Sequence, residues 1–304
     1  MTSSPETTVP RVATVTVVIA TTCEAKREEA ISRAVDSVLT QEGADVSLLI
    51  VVNGSRFDQR ILDRLLELPR TRVEQLAEGS YPAAVRHGRT LVATEFFAYL
   101  DDDDEFMPDA IATRLAPLLA DATLDFVATN GYLHDGSRVE ITKRNSTAIE
   151  RNPIQELLRA NWMENCGNLF RSSTVSLDYF DGKTKYYEWT LLTFRIAQAL
   201  KLRFLDAPTY RKHESPESLY KSVGVAEGGI AAIDLMISHN TSPAVHQRLL
   251  QLRGAALHAT SDVYRMAGDY GRAWRFHLQS LRHPRGWTHL PYTRHLLLPR
   301  AGAR

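Results

Sequence analysis

Two hydrophobic periodicities alternate along most of this chain. VTVVIA (15–20) is a nearly continuous β-branched run, the composition of a strand buried on both faces of a parallel sheet. KREEAISRAVDSVLTQ (26–41) then spaces Ile31, Ala34, Val35 and Val38 at helical intervals, Gly43 closes the helix, and VSLLIVV (46–52) is a second buried run. The unit repeats as a helix over 58–67 with Ile61, Leu62, Leu65 and Leu66, a short strand near Val73, a helix around 82–93 and the strand FFAYL (96–100). Strands alternating with helices predict an α/β fold, a Rossmann-like and mostly parallel sheet with helices on both faces. Further on, the pattern predicts a helix over 109–120, strands LDFVATN (124–130) and RVEIT (138–142) around the turn HDGS, and a loop NWMENCGNLF (161–170) running into a strand. KYYEWTLLTFRIAQALKLRFLD (185–206) reads as a helix and then a strand, and APTYRKHESPES (207–218) as a polar loop. From about residue 226 the pattern is helical throughout. The expected organisation is a disordered tail over 1–13, one α/β domain over 14–225 and a helical region over 226–304.

Ligands of such sheets bind beyond the carboxyl ends of the strands. ATTC (20–23), NGS (53–55) and DDDDE (101–105) all fall there. Four adjacent aspartates oppose folding, because like charges about 4 Å apart repel by about 1 kcal/mol even in water and more when partly buried. A bound cation offsets that repulsion. The competing readings are a solvated acidic loop, or Asp104 and Glu105 at the N-terminus of a helix beginning at Pro108. The location at the end of a sheet strand favours the ligand-facing reading.

Composition narrows the partners. Thirty-six basic residues balance 36 acidic ones, so no global field argues for nucleic acid. Cys23 and Cys166 are the only cysteines, too few and too far apart for a zinc motif or a disulfide framework, and they read as packing residues in a reducing compartment. The N-terminus has no signal-type pattern and no run of 18 apolar residues occurs, which makes the cytoplasm the expected location.

The order strand-ATTC, strand-VVNGS, strand-LDDDDEFMP, then a helix with an acid and a later histidine, resembles the family 2 glycosyltransferases of the GT-A fold. The resemblance spans about residues 14–216, and its most specific elements are LDDDDEFMP and the first-helix ending AVDSVLTQ (34–41). It implies inverting, metal-dependent transfer of a sugar from a nucleoside diphosphate to a hydroxyl of a glycan or lipid-linked acceptor, with manganese or magnesium as cofactor. The cation neutralises charge developing on the leaving diphosphate, and hard oxygen ligands suit either metal. By this resemblance the Asp-x-Asp motif maps onto Asp101 and Asp103, with Asp103 the metal ligand and Asp101 or Asp102 reaching ribose or sugar hydroxyls. Asp104 then supports the cluster or caps the helix. Ala20, Thr21 and Thr22 line the donor, and Asn53 stands where the family commonly has a base-reading aspartate, offering both a donor and an acceptor. Uridine is favoured by family frequency alone.

The family carries a Glu-Asp pair before its last sheet strand; here Glu188 fills the Asp position, Tyr187 the Glu position, and Glu188 is the expected base, with Asp181 the next candidate. His213 matches a family histidine that ligates the metal or the diphosphate, with Arg211 and Lys212 beside it. Trp162, Asn165 and Trp189 are the candidates for acceptor binding. Two other classes remain in view. A nucleotidyltransferase also uses paired aspartates, but ATTCEAKREE lacks the glycine-rich triphosphate loop; a non-catalytic binding protein on this fold keeps the cluster without a use for it.

Residues 257–284 resemble a single tetratricopeptide-like helical hairpin, which cannot bury its apolar face alone. From Gly271 to the end there are seven arginines and no carboxylate, interleaved with Trp274, Trp287, Tyr292 and LLLP. That composition suits peripheral contact with the inner face of an anionic membrane. Its rivals are an ordinary solvated face, arginines paired with acids of the main domain, or Trp287 and LLLP packed into the core.

Overall fold

The N-terminal β-branched run forms β1 (Thr14–Thr21), buried from Val15 onward. The structure, a computed structural model, describes residues 12–135, 138–142, 144–181, 184–213, 223–240 and 242–297. Most of the expected tail therefore lies outside the described residues. Strand β1 pairs in parallel with β2 (Asp45–Asn53) and β4 (Phe96–Asp101), and β2 pairs in parallel with β3 (Thr71–Leu76). The crossovers are α1 (Glu28–Leu39), α2 (Gln59–Leu66) and α3 (Tyr81–Leu91). Alternate side chains of β1 divide between two cores: Val15, Val17 and Ile19 meet α1 and α2, whereas Val18 and Ala20 meet Ala84 and Val85 of α3. Both faces of the sheet are covered, as the unbroken apolar runs required.

After β4 come β5 (Glu105–Phe106), α4 (Ala110–Ala120), β6 (Phe126–His134), β7 (Val139–Ile141), two short helices α5 (Ser146–Arg151) and α6 (Pro153–Leu157), β8 (Asn168–Arg171), α7 (Glu188–Ile196) and β9 (Leu202–His213). The sheet order is β3-β2-β1-β4-β8-β6-β9-β5, with β7 on β6, and β8 runs antiparallel between β4 and β6. This is the α/β architecture expected of the GT-A fold.

Three local expectations are corrected. Residues 207–213, read as polar loop, continue β9: the strand stays in register with β6 as far as His134 opposite His213, with irregularities near Pro208. Only Ala207, Pro208 and Tyr210 there are apolar, and the segment ends in Arg-Lys-His, so it looks like a loop in sequence. Tyr210 is nevertheless buried, filling space that Gly131 leaves free, where an added Cβ would lie 2.3 Å from its ring. Residues 214–218 of the same expected loop lie outside the described residues. Second, the helix after the aspartates opens at Ala110, behind Asp109 at φ 58°, and Glu105 belongs to a strand, so neither Asp104 nor Glu105 caps it. Third, α5 and α6 fall where no helix was expected.

The C-terminal helices are α8 (Val223–His239), α9 (Pro243–Met266), α10 (Tyr270–Ser280) and α11 (Thr293–Leu297), with a 3-10 stretch over Gly286–Tyr292. Met236 and Leu249 enter the core that also holds Leu191 and Phe194 of α7, so these helices lean on the sheet unit. The α9–α10 hairpin turns through Gly268 at φ 82°, Asp269 accepts from the Arg272 N–H as N-cap, and Tyr264 stacks on Phe276 at 5.5 Å between centroids. Among the described residues no helix is long and apolar enough to cross a membrane.

Candidate active site

The carboxyl ends of β1 to β4, the N-terminus of α7 and the end of β9 open onto one cleft of about 650 Å³. Ala20, Thr21, Thr22, Asn53, Asp101, Asp102, Asp103, Asn165, Glu188 and Trp189 all line it. The topology explains the convergence, since parallel strands deliver their following loops to the same edge.

The aspartates divide into two groups. Asp101, Asp103 and Asp104 each place a carboxylate oxygen within 4.8 Å of the others. Asp104 is 1% exposed; its Oδ1 accepts from the His213 main-chain N–H at 3.0 Å, and its Oδ2 has no partner. Burial raises the Asp101 and Asp104 carboxyls above the ordinary carboxylate range, and the neighbouring charges of Asp103 on the first and Asp101 on the second add to it. A partly buried, partly unpartnered oxygen set of this kind fits a hard divalent cation. Asp102 is held apart: Thr21 Oγ1 donates to one oxygen and Arg27 Nη1 to the other. Burial nevertheless pushes Asp102 up to about 7, against the pull of Arg27. Arg27 also lies 3.5 Å from Asp103, so a built-in cation already borders the cluster.

Glu188 is the first residue of α7. Tyr187, the N-cap residue, makes no side-chain capping bond to the helix, and Glu188 Oε2 is buried without a hydrogen-bond partner. Burial first, and the Asp101 charge in addition, push its carboxyl from the ordinary 4.5 up to about 7, with its own backbone N–H pulling the other way. Asp181 does not line this cleft, and its Oδ2 accepts from Thr184 N at 2.6 Å and Thr184 Oγ1 at 2.8 Å.

One organising residue escaped the sequence reading. The Tyr81 hydroxyl donates to Asp101 Oδ1 at 2.6 Å and accepts from Trp189 Nε1 at 3.1 Å and Asn165 Nδ2 at 3.5 Å. It ties the aspartate strand to the helix that carries Glu188. Its signal was positional only, because Ser80-Tyr81 follows the third parallel strand. Trp189 also meets Tyr99 edge-on at 5.1 Å, so only part of its ring faces the cleft.

Two expected site residues are not on the cleft. Trp162 is 2% exposed, donates Nε1–H to Pro153 O at 2.9 Å and packs edge-on against Phe204, which makes it a core residue rather than an acceptor platform. His213 directs its ring to Glu105 and His134 rather than to the aspartate cluster, with Nε2 3.2 Å from Glu105 Oε1 and Nδ1 3.2 Å from His134 Nδ1. Strand alternation is the reason: with His213 on one face of β9, Lys212 points into the cleft. Burial works against the charge on Lys212, but Glu164, whose Oε2 is 3.0 Å from Nζ, together with Asp104 and Asp101, outweighs it and holds the ammonium charged. Arg211 is committed to Glu105 at 2.7 Å. Cys23 and Cys166 are buried packing residues.

The family model described as glycosyl transferase family 2 matches residues 16–180. No curated protein matches the chain. Among solved structures, Staphylococcus aureus TarS 1-349 is similar with a TM-score of 0.57 at 14% identity, over 84% of this chain and 74% of that one. The same TarS piece in complex with UDP-GlcNAc gives a TM-score of 0.58 at 15% identity, over 84% and 75%. Against the longer S. aureus TarS chain the TM-score is 0.60 at 14% identity over 89% of this chain, which spans 54% of that one. At these identities the likeness shows a shared fold.

Proposed function

From the premise that this chain belongs to glycosyl transferase family 2 and is a nucleotide-sugar glycosyltransferase, we propose that it transfers the sugar in one inverting displacement to a glycan or lipid-linked hydroxyl, using Glu188 as base. The observation that carries the reading is the pairing of a partly buried carboxylate cluster, two of whose members, Asp101 and Asp103, line the cleft, with a separate carboxyl in the same cleft whose oxygen is unpartnered. A base poised near neutrality is effective because it is substantially deprotonated yet still basic enough to take a proton. In the proposed step the acceptor oxygen gives its proton to Glu188 and bonds the anomeric carbon as that carbon's bond to the diphosphate breaks. Asp101, Asp103 and Asp104 would hold a manganese or magnesium ion, which supplies neutralisation of the leaving diphosphate. Lys212 and Arg27 add fixed positive charge along the same edge. Thr21, Thr22 and Asn53 line the nucleoside end; the Asn53 amide is engaged with Thr21 O at 2.9 Å, and its cleft position supports a role in base reading. UDP is the favoured nucleotide: the TarS piece of the same fold is solved with UDP-GlcNAc and with UDP.

A panel of nucleoside diphosphates with and without manganese tests this reading. Uridine diphosphate with manganese is expected to raise the melting temperature more than either alone, and a UDP-sugar to be turned over when an acceptor is present. Stabilisation without any turnover would favour the non-catalytic reading; no stabilisation by any nucleotide would remove the donor assignment.

Tyr81 is proposed to position Glu188 through Trp189. Tyr81→Phe keeps the ring and removes only the hydroxyl. It is expected to lower kcat about tenfold, the worth of one charge-assisted hydrogen bond, while the donor KM changes less than about threefold. Equal losses in kcat and in donor affinity would assign Tyr81 to donor binding instead.

A further inference from the structure

Exposed large apolar side chains are concentrated near the C-terminal end of the described chain. Met266, Leu278, Trp287, Leu290 and Leu297 are each at least half exposed, Trp287 reaching 71%. Trp287, Leu290, Arg294 and Leu297 recur at three- and four-residue intervals through the helical stretch 286–297 and are all exposed, whereas Gly286 and Leu296 are buried. Along and just beyond α10, Arg275, Leu278 and Arg282 repeat the spacing and the exposure. Trp287 is thus not a core residue, and the apolar positions alternate with arginine rather than forming a packed seam.

Charge completes the pattern. From Gly271 onward the chain has seven arginines and no carboxylate. Among the described residues Arg272 alone of these arginines forms an ion pair, with Asp269 at 3.4 Å. The guanidinium groups of Arg275, Arg282, Arg285 and Arg294 are therefore available to an outside anion. An isologous contact between two copies through this face would set arginine against arginine, which disfavours a dimer there. An exposed indole among leucines and arginines suits the boundary between lipid head groups and acyl chains, with the guanidiniums on phosphate.

We propose that the exposed face formed by α10 and residues 285–297 docks this protein on an anionic lipid surface. Contact is peripheral: Trp287, Leu290 and Leu297 enter the head-group boundary, and the arginines bind lipid phosphates. The surface is separate from the cleft, whose proposed residues all precede residue 214.

The full-length protein should sediment with vesicles of phosphatidylglycerol mixed with phosphatidylcholine and not with phosphatidylcholine alone. Binding should weaken as salt rises. Each Arg→Gln change at 275, 282, 285 or 294 is expected to lower the partition constant about fivefold, equivalent to about 1 kcal/mol per basic residue, and the four together more than a hundredfold. Trp287→Ser should lower it about tenfold or more. Because Trp287 is exposed, that variant should melt with the parent, and both should hydrolyse donor in solution at the same rate. Lipids brominated in the acyl chains should quench the fluorescence of the parent more than that of Trp287→Ser. Equal sedimentation with neutral vesicles, binding that ignores all four arginine changes, or no vesicle binding at all would overturn the proposal. So would a salt-resistant dimer that Trp287→Ser dissolves, since the face would then serve a second copy.

Discussion

Glu188→Gln should reduce kcat by about 10²–10⁴-fold while leaving donor affinity nearly unchanged. The range is the usual worth of a positioned general base, and glutamine keeps the side-chain shape but cannot accept the acceptor's proton. The pH dependence makes the test specific. With its carboxyl pushed up to about 7, Glu188 is largely protonated and inactive as a base at pH 6, and the active fraction grows as pH rises. In the parent, kcat/KM should therefore increase about tenfold per pH unit on the acid side of about 7 and level off above it, and the variant should lack that limb. Near-normal turnover in the variant would move the base elsewhere, and Asp181 is poorly placed to inherit it because Thr184 engages its carboxylate. Loss of donor binding would instead make Glu188 part of the donor site.

Asp103→Asn should abolish manganese-dependent nucleotide binding and leave the protein folded. In the parent, ligand at about a hundredfold excess over Kd adds about 2.7 kcal/mol of apparent stability, or about 4 °C of Tm at this chain length. In the variant that shift should vanish. The cation-free variant should melt no lower than the parent, because Asp103 raises the pKa of its neighbour Asp101 and one repulsive charge has been removed. The sign of the pH effect follows from the same carboxyls. Asp101 and Asp104 are raised by burial, and Asp102 and Glu188 to about 7, so the folded state binds protons more tightly than the unfolded chain. The contribution of Asp102 and Glu188 is present below about pH 4 and is lost as pH rises through about 7, and Asp101 and Asp104 act in the same direction. Cation-free protein should consequently melt lower at pH 8 than at pH 6, and manganese should narrow the difference. An unchanged manganese-dependent shift in Asp103→Asn would sink the metal assignment.

The two predictions rest on residues that were legible to different degrees. DDDDE was conspicuous because repulsion among adjacent charges is a local property, and its place after FFAYL announced which edge of the sheet it would occupy. Which three aspartates face one another was not legible. Asp102 is diverted by Thr21 and Arg27, whereas Asp104, expected to support the cluster or cap a helix, joins it through the β9 main chain. Glu188 could be placed at the start of its helix, but its raised carboxyl depends on burial among groups distant in the chain.

Strand and helix identity through β4 followed from periodicity, because burial on both faces of a parallel sheet or along one stripe of a helix imposes it residue by residue. The sequence by itself thus determined the α/β architecture, the edge where ligands bind and the acidic chemistry placed there. Tertiary structure alone decided the pairing of β9 with β6, and with it the choice of Lys212 over His213 for the cleft. It also decided the burial of Trp162, the exposure of Trp287 and the junction at Tyr81. These outcomes depend on which distant segment lies alongside, and strand alternation turns a one-residue choice of register into opposite faces of the sheet.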